Sequence, residues 1–103
     1  MVALTGSDRR YLRGLANPRK AVVQVGEGGF TPGIARAADD ALRAHELIKV
    51  RIVADREQRR VIADRIAAET HSEIAGMIGR VAIFYREAGD PDDRAIRLPS
   101  ARR

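Results

Sequence analysis

Apolar positions along the chain alternate between the spacing of an amphipathic helix and that of a short strand. The helical spacing occurs three times, and each predicted helix has a residue suited to cap its N-terminus: Thr5, Thr31 and Asp55. Pro32 suits a first helical position, and Pro18 ends the helix before it. The predicted helices end at Ala16, His45 and Thr70, and the predicted strands cover residues 21–25, 47–54, 74–78 and 81–85.

The same spacing predicts which side chains are buried. The apolar helix faces are predicted as Leu12, Leu15 and Ala16, then Ile34, Ala37, Ala38, Ala41 and Leu42, then Val61, Ile62, Ile66 and Ala67. In the second strand Ile48, Val50 and Ile52 point one way, and Leu47, Lys49, Arg51 and Val53 the other. The order αβαβαββ predicts an α/β fold with a mixed four-stranded sheet packed by helices. Its parallel part requires crossovers through the second and third helices.

Composition narrows the class of protein. The chain has 103 residues, enough for one domain, with 19 Lys and Arg against 14 Asp and Glu and a net charge of +5. The absence of Cys excludes disulfides, thiolate metal sites and cysteine nucleophiles, and two His cannot build a dense metal cluster. We expect neither a metal nor a cofactor. Because the sequence has neither a membrane-length apolar run nor a secretory signal, we expect a soluble cytoplasmic protein. Its positive net charge predicts a polyanionic partner.

The positive charge is concentrated near the N-terminus. The first 20 residues have one acid, Asp8, and five cations, which we expect to contact phosphates: Arg9, Arg10, Arg13, Arg19 and Lys20. Lys49 and Arg51 extend this surface if their face of the sheet is open. If a helix covers that face, they reach the surface only by snorkelling or at the edge of the sheet. The third predicted helix is close to charge-balanced, which is typical of a solubilising surface.

A glycine-rich loop joins the first strand to the second helix. A Gly-x-x-Gly sequence before a helix presents backbone N–H groups to a phosphate, and here it comprises Gly26, Glu27, Gly28 and Gly29. A P-loop is excluded because no Lys-Ser or Lys-Thr pair exists, and a dinucleotide fingerprint lacks its third glycine. Two interpretations stay open: a clamp on single-stranded RNA, as in KH domains, or a plain turn. The Glu27 carboxylate opposes phosphate binding by about 1 kcal/mol or less.

Candidate catalytic groups are sparse. His45 and His71 fall at predicted helix C-termini, where a partly charged imidazole complements the helix dipole. Asp39 and Asp40 are consecutive on a helix and do not share a face. The acidic loop of residues 90–93 is most simply a solvated turn. Since none of these groups forms a catalytic arrangement, we expect that the protein is not an enzyme. Because aromatic residues are few, we expect backbone-led binding, with Phe30 as a candidate for stacking or for the core.

Five blocks of sequence, in order, resemble a known family. They are LRGLANP at residues 12–18, VVQVGEGGFT at 22–31, HELIKVR at 45–51, IGRVAIFYR at 78–86 and IRLP at 96–99. The chain is thereby similar to bacterial single-domain CRM proteins of the YhbY type. CRM stands for chloroplast RNA splicing and ribosome maturation. The resemblance covers roughly residues 4 to 99, which we expect to form one CRM domain followed by a short basic tail, residues 100–103.

The resemblance implies an RNA-binding domain shaped like the C-terminal domain of translation initiation factor 3. It also implies ribosomal RNA of large-subunit precursors as partner, a role in subunit assembly, and RNA contacts through the Gly-x-x-Gly loop and the basic first helix and adjoining strands. Ribosomal proteins are further possible partners, and we expect a monomer. The alternatives are a protein-interaction module on ribosomal particles without RNA contact, and small-molecule phosphate binding. The chain departs from the family at Glu27, where a polar or basic residue is commoner, and in its acidic insert at residues 90–93.

Overall fold

The computed structural model describes residues 3–102, which form three α-helices, four strands and two short 3-10 turns in the predicted order. The helices are α1 (Gly6–Ala16), α2 (Pro32–His45) and α3 (Arg56–Thr70). The strands are β1 (Val23–Val25), β2 (Leu47–Ile52), β3 (Glu73–Ile78) and β4 (Val81–Tyr85). The 3-10 turns are Pro91–Asp93 and Pro99–Arg102.

Each helix begins at the predicted capping residue. In α1 the Thr5 hydroxyl accepts from the Asp8 N–H at 3.0 Å, and the Asp8 carboxylate accepts from the Thr5 N–H at 3.0 Å, which completes a capping box. Thr31 and Asp55 each accept from the N–H three residues on, at 3.1 and 2.8 Å. All three predicted helix starts are therefore confirmed.

The four strands form one mixed sheet in the order β1-β2-β4-β3. β1 lies parallel to β2, whereas β4 is antiparallel to both β2 and β3. The predicted α/β fold with a mixed four-stranded sheet is confirmed. Because α3 carries the chain from β2 past β4 to β3, only β1 and β2 are parallel neighbours.

Helices cover the two faces of the sheet unequally. α2 and α3 pack on one face, where Val25, Leu42, Ile66 and Phe84 belong to the main core. On the other face α1 packs alone, and a smaller core is formed by Leu4, Leu12, Ala16, Leu47, Ala75, Ile83 and Tyr85, with Leu15, Ile96 and Leu98 partly buried against it. One helix cannot cover a four-stranded face, so the part nearest Arg51 and Ile78 is exposed.

Several predicted details are wrong. β1 begins at Val23 and not at residue 21, and β2 ends at Ile52 and not at residue 54, because the chain there turns toward the α3 cap. Val61 was expected in the core but is 57% exposed. The buried stripe of α3 includes the predicted Ile62 and Ile66 together with residues 63 and 70, and it lies between about 100° and 200° around the helix from Val61. Ala37 of α2 is exposed for the same reason.

The segment after β4 is held to the body by two buried carboxylates. Glu46, at the end of α2, accepts hydrogen bonds from the N–H groups of Ala88 at 2.8 Å, Ala95 at 2.8 Å and Ile96 at 3.1 Å. Asp8 accepts from the Ser100 N–H at 3.0 Å and from its hydroxyl at 2.7 Å. The chain is therefore anchored as far as residue 100. The last residue of the predicted basic tail, at position 103, lies outside the described residues.

Candidate nucleic-acid interface

Two arginines of α1 lie on the flank of the helix that faces β3. The Arg9 guanidinium donates to the Leu4 carbonyl at 2.7 Å, and that of Arg13 donates to the Ala75 carbonyl at 3.3 Å. Arg10, the third predicted cation of this helix, is exposed. The side chains at positions 9 and 13 are therefore positioned by the fold, whereas that of Arg10 projects into solvent.

The C-terminal end of α1 lies across Lys49 of β2. The Lys49 ammonium donates to the carbonyls of Arg19 at 2.9 Å and Asn17 at 3.4 Å, and the Arg19 guanidinium donates to the Leu47 carbonyl at 3.0 Å. These contacts answer the question that the sequence left open. Lys49 is half-buried beneath the helix end, whereas Arg51, two residues further along the same face, is exposed.

We call Arg13, Arg19, Lys49 and Arg51 the basic face, because contacts or strand spacing join them on one side of the sheet. Arg13 and Lys49 line the same small groove of about 120 Å³, between α1 and the end of β4. Lys20 is exposed immediately after Arg19. The structure thus brings most of the predicted cations of α1 and β2 together.

The charges of these residues are not neutralised by carboxylates of the described part of the chain. Its side chains form five ion pairs, whose cations are Arg43, Arg60, Arg65, Arg86 and Arg94. None of the cations predicted to contact phosphate is in this set. A hydrogen bond to a neutral carbonyl orients a guanidinium but does not cancel its charge. The surface therefore keeps its positive potential while its side chains are partly ordered, which lowers the entropic cost of binding an anion.

The one acid among the first 20 residues is withdrawn from this surface. Asp8 is fully buried in the capping box of α1. Burial raises the pKa of its carboxyl, but hydrogen bonds from Ser100 and Thr5 outweigh burial and lower the pKa to about 2. The carboxylate is therefore charged, but it is buried and accepts hydrogen bonds from Thr5 and Ser100, so it does not face the surface that carries the cations.

The glycine loop follows β1 and forms a turn closed by a hydrogen bond from the Gly29 N–H to the Gly26 carbonyl at 3.0 Å. Gly29 has a φ of +68°, which a residue with a side chain rarely adopts. Gly28 is exposed, and a Cβ added there would meet no atom within 4 Å. The turn geometry therefore requires glycine at position 29 but not at position 28.

The loop and the basic face meet at one end of the sheet. Gln24 of β1 is the register partner of Arg51, and the loop begins two residues later, beyond the end of β1. The N-terminus of α2 follows at Thr31 and adds the positive end of a helix dipole. Glu27 is exposed in the same loop. The loop thus extends the basic face, with one acid at its tip.

The ring of Phe30 is not open on both of its faces for stacking on a base. It is partly buried against the main core, and the Arg65 guanidinium carbon lies 4.6 Å from the centroid of its ring. Tyr11 of α1 is 42% exposed but stands apart from the loop in sequence. Recognition of bases by aromatic stacking has little support here.

Sequence reasoning missed three arginines of α3. Arg56, Arg59 and Arg60 line a groove beside Met77 and Gly79, at the end of β3. The helix as a whole is nearly charge-balanced, which concealed them. Their spacing of three and four residues places them on one face, and that spacing was visible in the sequence.

The other candidate groups have structural roles. His45 ends α2, and His71 caps α3 with a left-handed backbone, φ 55°. Within the described residues no three His, Asp or Glu side chains are grouped to hold a metal ion. The acidic insert forms a 3-10 turn in which Asp90 accepts from the Asp92 N–H at 2.9 Å. No helix between residues 3 and 102 is long and apolar enough to cross a membrane.

Known proteins of similar sequence and structure share a family. Residues 4–86 match the family model described as the CRS1 / YhbY (CRM) domain. A Haemophilus influenzae protein named RNA-binding protein is 35% identical over 100 residues, covering 96% of this chain and 98% of that protein. The Bacillus subtilis protein named Probable RNA-binding protein YqeI is 31% identical over 97 residues, covering 93% and 99%. A hypothetical protein from Staphylococcus aureus, known from its solution structure, has a TM-score of 0.83 at 34% identity, covering 94% of this chain and all of that one.

Proposed function

Because the chain belongs to the CRS1 / YhbY (CRM) domain family, we propose that it binds RNA through the basic face and the adjoining glycine loop. The observation that carries the proposal is the un-neutralised cluster formed by Arg13, Arg19, Lys49 and Arg51, in which all but Arg51 are oriented by hydrogen bonds to backbone carbonyls. Arg9, Arg10 and Lys20 flank that cluster and add charge. Relatives named RNA-binding protein and Probable RNA-binding protein support the same function.

The basic face and the glycine loop have different roles in the proposed binding. Guanidinium and ammonium groups attract phosphates without reading sequence. The glycine loop lets an RNA backbone approach the N–H groups at the start of α2, because Gly28 has no side chain and stands in open space. With Phe30 partly covered by Arg65, base stacking is limited. We therefore propose backbone-led binding with weak base specificity.

The RNA that we propose is ribosomal RNA in precursors of the large ribosomal subunit, whose assembly the protein would assist. Support comes from the family resemblance of the five sequence blocks. We further propose that residues 4–99 act as one binding unit and as a monomer, and that the protein has no catalytic role. Hydrogen bonds from Ala95 and Ile96 to Glu46 support treating the segment after β4 as part of this unit.

Gly28→Asp tests the loop directly. Since an added side chain there meets no atom within 4 Å, the variant should fold normally. The new carboxylate should repel phosphates, so the affinity of the variant for RNA should fall by up to about fivefold, which corresponds to the limit of about 1 kcal/mol for a screened charge in this loop. Glu27→Lys is the matched opposite change and should tighten binding. Unchanged affinity in both variants would reduce the loop to a simple turn.

A second experiment separates RNA binding from the protein-interaction alternative. Large-subunit precursor particles are incubated with the protein, treated with nuclease to remove accessible RNA, and sedimented. Release of the protein supports direct RNA contact. Cosedimentation that survives the treatment would favour a site made of ribosomal proteins. Thermal stabilisation by mononucleotides at micromolar concentration would instead indicate small-molecule phosphate binding.

A further inference from the structure

Two adjoining grooves follow β3, the strand at the opposite edge of the sheet from β1. The first, of about 440 Å³, lies between α1 and α3 and is lined by Arg9, Arg13 and Arg60 together with most of β3. The second, of about 520 Å³, is lined by Arg56, Arg59, Arg60, Met77 and Gly79. Arg60 and Met77 belong to both linings, so the two grooves are adjacent. We call them together the edge groove.

The edge groove is strongly cationic. Five arginines line it against two carboxylates, Asp64 and Glu73, and Asp64 is paired with Arg60 at 3.2 Å. The Arg59 guanidinium donates to the Ala54 carbonyl at 2.7 Å, so it is oriented without being neutralised. Arg56 is exposed.

The floor of the groove is shaped by a glycine. The side chain of Arg13 lies directly on Gly76, where an added Cβ would come within 2.6 Å of the Arg13 Cδ. The same guanidinium bonds the carbonyl of Ala75, which is the extra residue of a β-bulge between Ile74 and Gly76. A bulge and an occupied carbonyl both oppose the addition of a peptide strand to this edge. The occupant that fits the lining is therefore a polyanion and not an extended peptide.

We propose that the edge groove is a second RNA-binding surface, which takes the phosphate backbone of RNA beyond the segment held at the glycine loop. The inference rests on the proposed function. Arg13 joins the two surfaces, because it lines both the edge groove and the small groove of the basic face. The two surfaces adjoin at Arg13, so an RNA held at the glycine loop reaches the edge groove only if it is long enough to extend past Arg13.

The test compares two double variants of equal charge. Arg56→Gln/Arg59→Gln removes two cations from the edge groove, and Arg43→Gln/Arg94→Gln removes two cations that are ion-paired elsewhere. Affinity is measured across a range of salt concentrations for single-stranded RNA of about 4 nucleotides, the length that a Gly-x-x-Gly loop clamps, and of about 24 nucleotides. Thermal unfolding of each variant checks that it is folded.

We expect the edge-groove variant to bind the long RNA more weakly. The slope of log affinity against log salt should fall by about 1.4, or about 0.7 for each phosphate that the variant no longer neutralises. Binding of the short RNA should change little, and the control variant should resemble the unmodified protein. If both variants lose the same affinity for the long RNA, or neither does, the inference is overturned while the proposed function stands. It is equally overturned if the edge-groove variant keeps RNA binding but loses binding of an acidic protein. Failure of the unmodified protein to bind either RNA would instead refute the proposed function.

Discussion

Removing two cations from the basic face should weaken RNA binding through counterion release and leave the fold intact. Arg13→Gln/Arg51→Gln keeps two hydrogen-bonding side chains but removes two charges, neither of which is ion-paired within the described residues. Every phosphate that is no longer neutralised should reduce the slope of log affinity against log salt by about 0.7, so the pair should reduce it by about 1.4. If the variant and the unmodified protein bind equally at about 1 M salt, this difference in slope makes the variant bind roughly 25-fold more weakly at about 0.1 M salt.

The assay is fluorescence anisotropy of a labelled single-stranded RNA, titrated with protein at four or more salt concentrations. Arg43→Gln/Arg94→Gln is the matched control, because it changes the net charge equally and both residues are already paired with carboxylates. A control slope as low as that of the test variant would mean that overall charge, and not the position of the cations, drives binding. An unchanged slope in the test variant would remove the basic face from the interface.

Three further changes test the glycine turn and the anchoring of the closing segment. Gly29→Ala should cost about 1 kcal/mol in the free energy of unfolding because φ is +68° there, and urea denaturation that detects no loss would contradict this assignment. Ser100→Ala should raise the pKa of Asp8 from about 2 toward 3.8. Because the pKa of Asp8 is lower in the folded than in the unfolded protein, its carboxylate stabilises the fold above about pH 4, and this stabilisation is lost as the pH falls toward 2. The free energy of unfolding of the variant should therefore be lower than that of the unmodified protein at neutral pH and should approach it near pH 2. Glu46→Gln should lower the free energy of unfolding by about 2–3 kcal/mol, because the N–H group of the new side-chain amide faces a backbone donor. Hydrogen exchange of the three amides that Glu46 binds should become faster. Unchanged exchange would show that the carboxylate does not anchor them.

The helices were predictable because their determinants are local. A capping side chain such as Thr5 or Asp55 bonds an N–H three residues away, so the sequence around it contains both partners. The sheet class was predictable for a related reason, since strands separated by helices favour parallel pairing and strands separated by Gly79 favour a hairpin. Errors arose at Val61, where two helical faces with similar apolar content compete and only tertiary packing decides between them.

The remaining features depend on contacts between distant residues. Glu46 holds amides 42 to 50 residues away, so no local pattern signals that the closing segment is ordered. Lys49 is half-covered because the end of α1 crosses β2, which depends on how one helix is placed over a four-stranded face. The arginines of α3 escaped notice because charge was counted along the helix and not by face. Charge position, and not total charge, distinguishes the surfaces of this protein.

The buried carboxylate of Glu46 binds a segment of the chain that lies beyond the residues matched by the family model. Sequence similarity to the family model ends at residue 86, yet Glu46 obtains its three hydrogen bonds from amides beyond that point. A domain excised at residue 86 would leave the Glu46 carboxylate inside the protein without its three donors and would remove Ile96 and Leu98, which pack against the smaller core. When such a domain is joined to others in tandem, we therefore expect the residues that follow β4 to stay with the domain and not to act as an exchangeable linker.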